Sequence, residues 1–302
     1  MNAAVDDIDV QAKRNEPMSR HTSWRVGGVA DLFYRPRSIE ALRSILAALP
    51  ASMPLTWLGL GSNLLVRDAG IRGAVICTSG LPRELERLGE RGVRAGAGLA
   101  CTSLARRCVR WQLGPAAFFA GIPGTVGGAL AMNAGAFDGE TWDRVSSVTS
   151  IDRSGAVRER PRSDYSIDYR SVQGPDDEWF LAARFEFQPD PNTRVAAIKE
   201  MVQRRSALQP LDKPSAGSVF RNPPGGFAGD LIERAGLKGA RIGDAVVSEK
   251  HANFIVNLGA ARAADIEALI LHVQARVAEA SGVALEPEVR VVGEVGPEDT
   301  RR

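Results

Sequence analysis

The stretch Gly121–Ala136, which reads GIPGTVGGALAMNAGA, is the most unusual part of the sequence. Five of its sixteen residues are glycine, and most of the others are apolar. Glycine at this density leaves little room for an ordinary helix or strand, while the apolar side chains argue against a flexible linker. We therefore expect tightly packed turns that lie against something flat or close.

A second glycine cluster, GLGSNLLV at residues 59–66, lies about 60 residues earlier. It matches neither the GxGxxG fingerprint nor the GxxxxGK[ST] phosphate loop. Gly61, Ser62 and Asn63 could still form a nest of backbone N–H groups that binds an anion, with donors added by the two polar side chains. A plain tight β-turn is the alternative reading of this cluster.

Two glycine-rich turns in one domain, neither of the usual nucleotide-binding type, suggest a large and extended cofactor. Flavin adenine dinucleotide (FAD) fits, because it combines a diphosphate with two flat ring systems.

The composition sets outer bounds on function. The 302 residues are 44% hydrophobic and 25% charged, with a net charge of +2, which disfavours nucleic acid or an anionic membrane as partner. No apolar run approaches the roughly 20 residues of a membrane helix, and the N-terminus lacks a signal-peptide core. Three cysteines without a CxxC pair and three scattered histidines predict no metal site. We expect a cytoplasmic monomer.

Hydrophobic periodicity predicts a mixture of helices and strands, and hence an α+β fold. Four helices are expected: one capped by Ser38, one capped by Thr102 or Ser103 that runs to Gln112, one over residues 193–208, and a long one that ends near Gly282. The helix over 193–208 should have Val195, Ile198 and Val202 on its apolar face. A hairpin is expected at Ser154-Gly155, and a strand should end before Pro189. Prolines at positions 210 and 214 mark a plausible domain boundary.

Six motifs in order make the sequence recognisable. They are HTSWRVGGVAD (21–31), LGLGSNLLVRD (58–68), AGIPGTVGGALAMNAGAF (120–137), AGSVFRNP (216–223), AGLKGARIGDAVVSEKHANFIVN (235–257) and LEPEVRVVG (285–293). Together they resemble the UDP-N-acetylenolpyruvoylglucosamine reductase (MurB) family, in its compact subtype without the inserted tyrosine loop. The resemblance spans about residues 22–293.

The resemblance implies a particular domain layout. It gives an N-terminal tail (1–20), an FAD-binding domain of the vanillyl-alcohol-oxidase-like (PCMH) type (21–206) and a C-terminal α+β substrate domain (207–302). The FAD-binding domain would have two subdomains, at about 21–85 and 86–206. The cofactor-binding residues would be Gly59, Gly61, Ser62, Asn63, Leu64, Gly121, Ile122, Pro123, Gly124, Thr125, Gly127, Gly128, Asn133, Ala134 and Gly135.

The family resemblance also implies an activity. This is the reduction of UDP-N-acetylglucosamine enolpyruvate to UDP-N-acetylmuramate for peptidoglycan, with FAD as cofactor and NADPH as co-substrate. Hydride would pass from flavin N5 to the enolpyruvyl methylene carbon. Ser218 would give a proton to the adjacent carbon, while Arg170 and Glu288 would stabilise the enolate-like species between these events. No residue signature in the sequence selects NADPH over NADH.

The residues alone leave alternatives open at each of these positions. Ser218 could be a loop serine or a nucleophile, although Gly217-Ser218-Val219-Phe220 is not a GxSxG elbow. Arg170 could form a surface ion pair with Asp164 or Asp168, and Glu288 could be an ordinary carboxylate on an edge strand. By the resemblance, Asn222, Arg221 and Arg241 are candidates for substrate contacts.

Two rival functions remain at this level. One is an FAD-dependent oxidoreductase of the same fold that acts on another substrate, and the other is a nucleotide-sugar-binding protein without turnover. Yellow colour on purification would separate a flavoprotein from a simple binder.

Overall fold

The computed structural model describes residues 11–296, which divide into two compact units. Among these residues, the first unit holds 33–60 and 75–204, together with 11–13. The second holds 14–32, 61–74 and 205–296. Half of the predicted N-terminal tail, residues 1–10, lies outside the described residues, whereas Lys13–Pro17 forms a strand. The predicted domain limits along the sequence stay a prediction.

Helices and strands alternate irregularly along the chain, as the α+β prediction requires. The α-helices of the described residues are α1 (Ile39–Ala48), α2 (Cys101–Arg110), α3 (Val126–Ala131), α4 (Val195–Leu208), α5 (Ala228–Arg234) and α6 (Ala263–Ser281). The strands are β1 (Lys13–Pro17), β2 (Val29–Tyr34), β3 (Leu55–Leu58), β4 (Leu64–Val66), β5 (Ile71–Cys77), β6 (Leu85–Leu88), β7 (Gly92–Gly96), β8 (Leu113–Gly114), β9 (Gly135–Ala136), β10 (Gly139–Glu140), β11 (Val145–Asp152), β12 (Val157–Pro161), β13 (Ser166–Asp168), β14 (Ser171–Gln173), β15 (Glu178–Glu186), β16 (Gln188–Pro189), β17 (Arg241–Ile242), β18 (Ala245–Val247), β19 (Ile255–Asn257) and β20 (Arg290–Val292).

An antiparallel sheet of five strands, in the order β12-β11-β15-β7-β6, forms the centre of the first unit. The hairpin predicted at Ser154-Gly155 joins β11 to β12. Its turn is fixed because Asp152 Oδ1 accepts from Ser154 N at 2.9 Å, and Gly155 takes a φ of +82°. The strand predicted to end before Pro189 is β15, which ends at Glu186. Pro189 belongs to the separate strand β16, which pairs with β8.

The two helix starts predicted in the first unit have different outcomes. Ser38 caps α1 as predicted, its side chain accepting from Ala41 N at 3.0 Å. The predicted cap at Thr102 or Ser103 is wrong, because α2 begins at Cys101 behind Ala100. Cys101 N donates to Gly124 O at 3.0 Å, so a distant backbone carbonyl satisfies a donor that a capping side chain would otherwise serve.

The expectation that the glycine-rich stretch contains no ordinary helix is also wrong. Residues 126–131 form the short helix α3, whose Thr125 cap accepts from Gly128 N. Val126, Ala129 and Leu130 are buried in the core of this unit. Burial of these side chains outweighs the low helix propensity of the two glycines between them.

Helix α4 was expected to bury three apolar residues, and it buries one. Ile198 is 3% exposed, whereas Val195 and Val202 are 42% and 39% exposed. The two valines line a groove of about 440 Å³ whose other lining residues include Arg106 and Arg110 of α2. The predicted helix therefore exists, with a narrower buried face than the periodicity indicated.

The second unit packs the long helix α6 against a three-stranded sheet, β17-β18-β19. The five apolar residues predicted for its inner face are all buried: Ile266, Leu269, Ile270, Val273 and Val277. Gly282 ends the helix in the left-handed conformation, with a φ of +72°. In the same unit, β20 pairs in parallel with β4.

Cys77, Cys101 and Cys108 are buried and form no disulfide. Burial raises the pKa of Cys101 and of Cys108 to about 12, which makes both thiols inert near neutral pH. No helix within residues 11–296 combines the length and the apolar character that crossing a membrane requires.

Candidate active site

Thr125 lies beside two glycines of the first unit that face open space. A Cβ added at Gly128 would meet only the Thr125 hydroxyl, at 3.7 Å, and one added at Gly59 would meet the same atom at 3.0 Å. Bare backbone around a hydroxyl is the surface that a bulky polar cofactor can approach closely. Both glycines and Thr125 belong to the predicted cofactor-binding set.

Gly121 and Gly127 serve a different purpose from Gly59 and Gly128. A Cβ on Gly121 would lie 2.6 Å from Ala136 Cβ, and one on Gly127 would lie 2.9 Å from Ala97 Cβ. These two glycines are required by packing within the protein, so the glycine-rich stretch is partly structural and partly open.

The side chain of Asn133 is committed to the protein itself. Its amide nitrogen donates to Glu140 Oε2 at 2.7 Å and to Asp168 O at 3.2 Å, while its oxygen accepts from Trp142 N. The residue is 1% exposed. Its side chain therefore fixes the turn. Because the amide nitrogen and oxygen are both already bonded within the protein, the predicted contact of Asn133 with the cofactor would use its backbone.

Arg170 holds the end of the glycine-rich stretch. Its Nη1 donates to Asn133 O and its Nη2 to Gly135 O, both at 3.2 Å. Nη1 also lies 3.5 Å from Glu140 Oε1. Arg170 takes a φ of +55° in the hairpin loop between β13 and β14, a conformation that costs a non-glycine residue about 1–2 kcal/mol.

The structure thus brings Arg170 together with two residues of the predicted cofactor set. Glu140 is one carboxylate in ion-pair range of Arg170. Asp164, one of the alternatives named for Arg170, lies 3.5 Å from Arg160.

In the second unit, the loop before β4 is shaped by close backbone approaches. Gly61 has a φ of +64°, and a Cβ there would lie 2.0 Å from His21 O, so only glycine fits. Asn63 Nδ2 donates to Glu288 O at 3.0 Å, and Asn63 O accepts from Arg290 N at the same distance. Asn63, which is predicted to bind the cofactor, therefore holds the segment that carries Glu288 by hydrogen bonds.

Ser218 and Glu288 lie on neighbouring extended segments of the second unit. Glu288 N donates to Val219 O at 2.7 Å, and Val289 N approaches the same oxygen at 3.4 Å. Two residues of one segment thus oppose one residue of the other, which is the arrangement of a β-bulge. Bulges are common beside active sites because they redirect side chains.

The hydroxyl of Ser218 is available to a ligand. It makes no hydrogen bond with any of the residues that the structure describes, and the residue is half-buried. Gly217 precedes it with a φ of +76°, and a Cβ added there would meet nothing within 4 Å. An unbonded hydroxyl on a half-buried residue suits a proton donor or a substrate contact.

Asn253 fastens the segment that carries Ser218. Its backbone oxygen accepts from Val219 N at 2.9 Å. Its side chain accepts from Phe220 N at 2.9 Å and donates to Phe220 O at 2.8 Å.

His251 is a structural neighbour of this segment. Its Nδ1 accepts from Asn253 N at 3.2 Å, and its ring packs edge-on against Phe254. Burial lowers the pKa of His251, with a smaller contribution from Lys238, so the neutral ring that can accept this bond is favoured.

The three residues predicted to contact substrate already have partners in the second unit. Asn222 Oδ1 accepts from Ala228 N at the start of α5. Arg241 donates to Gly243 O and Asp244 Oδ1 within its own turn. Arg221 Nη1 lies 3.9 Å from Glu286 Oε2.

Comparison with known proteins decides the family. Residues 30–160 match the model of an FAD binding domain, and residues 209–292 match the C-terminal domain of UDP-N-acetylenolpyruvoylglucosamine reductase. The reductase of Alkalilimnicola ehrlichii is 55% identical over 92% of this chain and 94% of its own, and that of Methylococcus capsulatus is 55% identical over 93% and 92%. The crystal structure of the Thermus caldophilus reductase superimposes with a TM-score of 0.79 at 34% identity, covering 93% of this chain and 98% of the other. The chain belongs to the UDP-N-acetylenolpyruvoylglucosamine reductase family.

As a member of this family, the chain is an FAD-dependent oxidoreductase. The predicted fold class is confirmed in its main parts, an α+β chain with an FAD-binding domain followed by the reductase C-terminal domain. The open glycine surface around Thr125 fits a large cofactor in the first unit, because side chains at Gly59 and Gly128 would fill it.

The hydrogen bonds of Asn253 to the Ser218 segment were not predicted from the sequence. A signal was present in HANFIVN, where a polar residue with two donors and two acceptors interrupts an apolar run. Such a residue, once buried, must find hydrogen-bond partners. What the sequence could not give is the identity of the partner, Phe220, which lies 33 residues earlier.

Proposed function

We propose that this member of the family reduces UDP-N-acetylglucosamine enolpyruvate to UDP-N-acetylmuramate with NADPH, in the cytoplasmic synthesis of peptidoglycan precursors. The observation that carries the proposal is identity above one half with two reductases of that name over more than nine-tenths of this chain. The bound FAD supplies the chemistry of accepting hydride from NADPH and passing it to the enolpyruvyl methylene carbon.

Ser218 is the proposed proton donor. As the carbon–carbon double bond of the vinyl ether is reduced, hydride adds to the methylene carbon and a proton must reach the carbon that bears the ether oxygen. A hydroxyl is a weak acid, but the electron-rich intermediate is a strong base, so position matters more than pKa. The hydroxyl of Ser218, which is unbonded on a half-buried residue, supports this role.

Arg170 and Glu288 are the proposed stabilisers of negative charge on the substrate carboxylate. Glu288 would act as a protonated acid or through a bridging water, because an ionised carboxylate would be repelled there. A guanidinium stays charged and carries five N–H donors in a rigid fork, so it can hold a carboxylate as well as backbone oxygens. One well-placed donor of this kind is worth about 2.7–4 kcal/mol in other enzymes. Glu288 is held in its segment by the bonds of its backbone to Val219 and Asn63.

Separate measurement of the two half-reactions tests these assignments. In Ser218→Ala, stopped-flow absorbance should show flavin reduction by NADPH at the wild-type rate and a loss of at least a hundredfold in the reoxidation by the enolpyruvyl nucleotide. Glu288→Gln should slow the same second step. Equal slowing of both steps in Ser218→Ala would show that Ser218 is not the proton donor.

The chain supplies matched controls for both variants. Ser215→Ala removes a half-buried hydroxyl three residues away, and Glu294→Gln removes an exposed carboxylate six residues away. Neither should change either half-reaction.

A further inference from the structure

Asn253 contacts the Ser218 segment in the manner of a neighbouring strand. One backbone and two side-chain hydrogen bonds, all between 2.8 and 2.9 Å, join it to Val219 and Phe220, the two residues that follow Ser218. We propose that Asn253 is a positioning residue, which acts through Ser218 by fixing the segment that presents its hydroxyl. This inference rests on the proposed proton transfer from Ser218.

The arrangement is suited to fixing a backbone in one register. The side chain of Asn253 both donates to Phe220 O and accepts from Phe220 N, so it satisfies both backbone groups of that residue. The residue is 3% exposed. Water therefore cannot replace these bonds cheaply, and a shortened side chain would leave two buried backbone groups without partners.

The opposite edge of the same segment is held by the segment of Glu288. Val219 O accepts from Glu288 N, and Arg221 N donates to Glu286 O at 2.9 Å. Ser218 thus precedes a short extended segment that is bonded on both edges, to Asn253 on one and to the segment of Glu286 and Glu288 on the other. Removing Asn253 frees one edge, and the hydroxyl of Ser218 then samples positions away from the reacting carbon.

Asn257 is a closely matched control. It is 4% exposed, lies in the same unit four residues later, and also uses its whole amide: Nδ2 donates to Trp24 O, and Oδ1 accepts from Gly259 N and Ala261 N. Its side-chain hydrogen bonds go to Trp24, Gly259 and Ala261, none of which belongs to the Ser218 segment. The change in stability and in the two half-reaction rates of Asn257→Ala therefore measures the general effect of deleting a buried amide.

The test measures both half-reactions and the thermal midpoint in Asn253→Ala, Asn257→Ala and Asn253→Asp. We expect both alanine variants to lose stability and to keep the rate of flavin reduction by NADPH within twofold. Only Asn253→Ala should slow the reoxidation by the enolpyruvyl nucleotide, by about tenfold or more. Asn253→Asp keeps the acceptor for Phe220 N, so it should recover part of that rate.

A double-mutant cycle shows whether Asn253 acts through the serine. In a Ser218→Ala background, Asn253→Ala should slow the second half-reaction no further. Additive losses, or equal slowing in Asn253→Ala and Asn257→Ala, would overturn the positioning role. A wild-type second half-reaction in Ser218→Ala alone would instead refute the proposed proton donor, so the two failures are distinguishable.

Discussion

Arg170 combines a left-handed backbone conformation with a guanidinium that bonds two carbonyl oxygens of the glycine-rich stretch. Backbone strain of this kind persists where the surroundings fix the residue, and it is concentrated at functional sites. The guanidinium would therefore have two tasks, holding the backbone of 133–135 and stabilising charge on the substrate.

Replacement of Arg170 by lysine separates these tasks by geometry. Lysine keeps the charge but cannot reach two carbonyl oxygens with a planar fork. We expect Arg170→Lys to lower the rate of the second half-reaction by about 10²–10³, the cost of one charge-stabilising donor, and to weaken FAD binding measured by fluorescence titration. Arg158→Lys, at an exposed ion pair with Asp152, should leave both quantities unchanged. Wild-type kinetics in Arg170→Lys would contradict the assignment.

We expect His251 to make the free energy of unfolding depend on pH. Burial and Lys238 lower its pKa below 6.5, while Asp230 and Glu233 act weakly in the opposite direction. Between the lowered pKa and 6.5 the unfolded chain binds more protons than the folded one, so the free energy of unfolding rises with pH across this window and levels off above it.

The variant His251→Asn tests this dependence. Its side-chain oxygen can still accept from Asn253 N, but it does not titrate. We expect urea unfolding of the wild type to show a rise in stability with pH up to about 6.5, and the rise should be smaller in His251→Asn. An unchanged pH profile in the variant would assign the dependence to other groups.

At the scale of elements, helix α4 shows how periodicity overestimates a buried face. Val195, Ile198 and Val202 share helical spacing, yet the two valines are exposed and only Ile198 is buried. Ile198→Ala should lower the free energy of unfolding by about 2–5 kcal/mol, because it removes a buried side chain from the core. Val202→Ala should change it by less than about 0.5 kcal/mol, as is usual at exposed positions. Equal losses in urea titrations would show that Val202 is buried in solution.

Other elements show which features of the fold can be predicted from nearby residues alone. The Ser38 cap, the Ser154-Gly155 hairpin and the end of α6 at Gly282 were predictable because each depends on residues within a few positions. The start of α2 was not, since Gly124 O satisfies Cys101 N from 23 positions away. Helix α3 was not either, because tertiary burial stabilises it against its own glycines.

At the scale of the whole molecule, the six ordered motifs were enough to indicate the family, and the comparisons confirm it. The motifs indicated candidate site residues but not the residues that these side chains contact. The tether of Asn63 to Glu288 O spans 225 positions, and that of Asn133 to Asp168 O spans 35. Such contacts depend on how the chain folds back, which no local pattern contains.

In the proposed reaction, electrons from NADPH reach an enolpyruvyl nucleotide by way of the flavin. The most direct measurement is anaerobic stopped-flow absorbance of the wild-type protein at the flavin band, with NADPH first and UDP-N-acetylglucosamine enolpyruvate second. We predict that NADPH bleaches the band and that the nucleotide restores it, with one lactyl ether formed for each flavin reoxidised. A purified chain that takes up no flavin, or a bleached band that only oxygen restores, would contradict the claim.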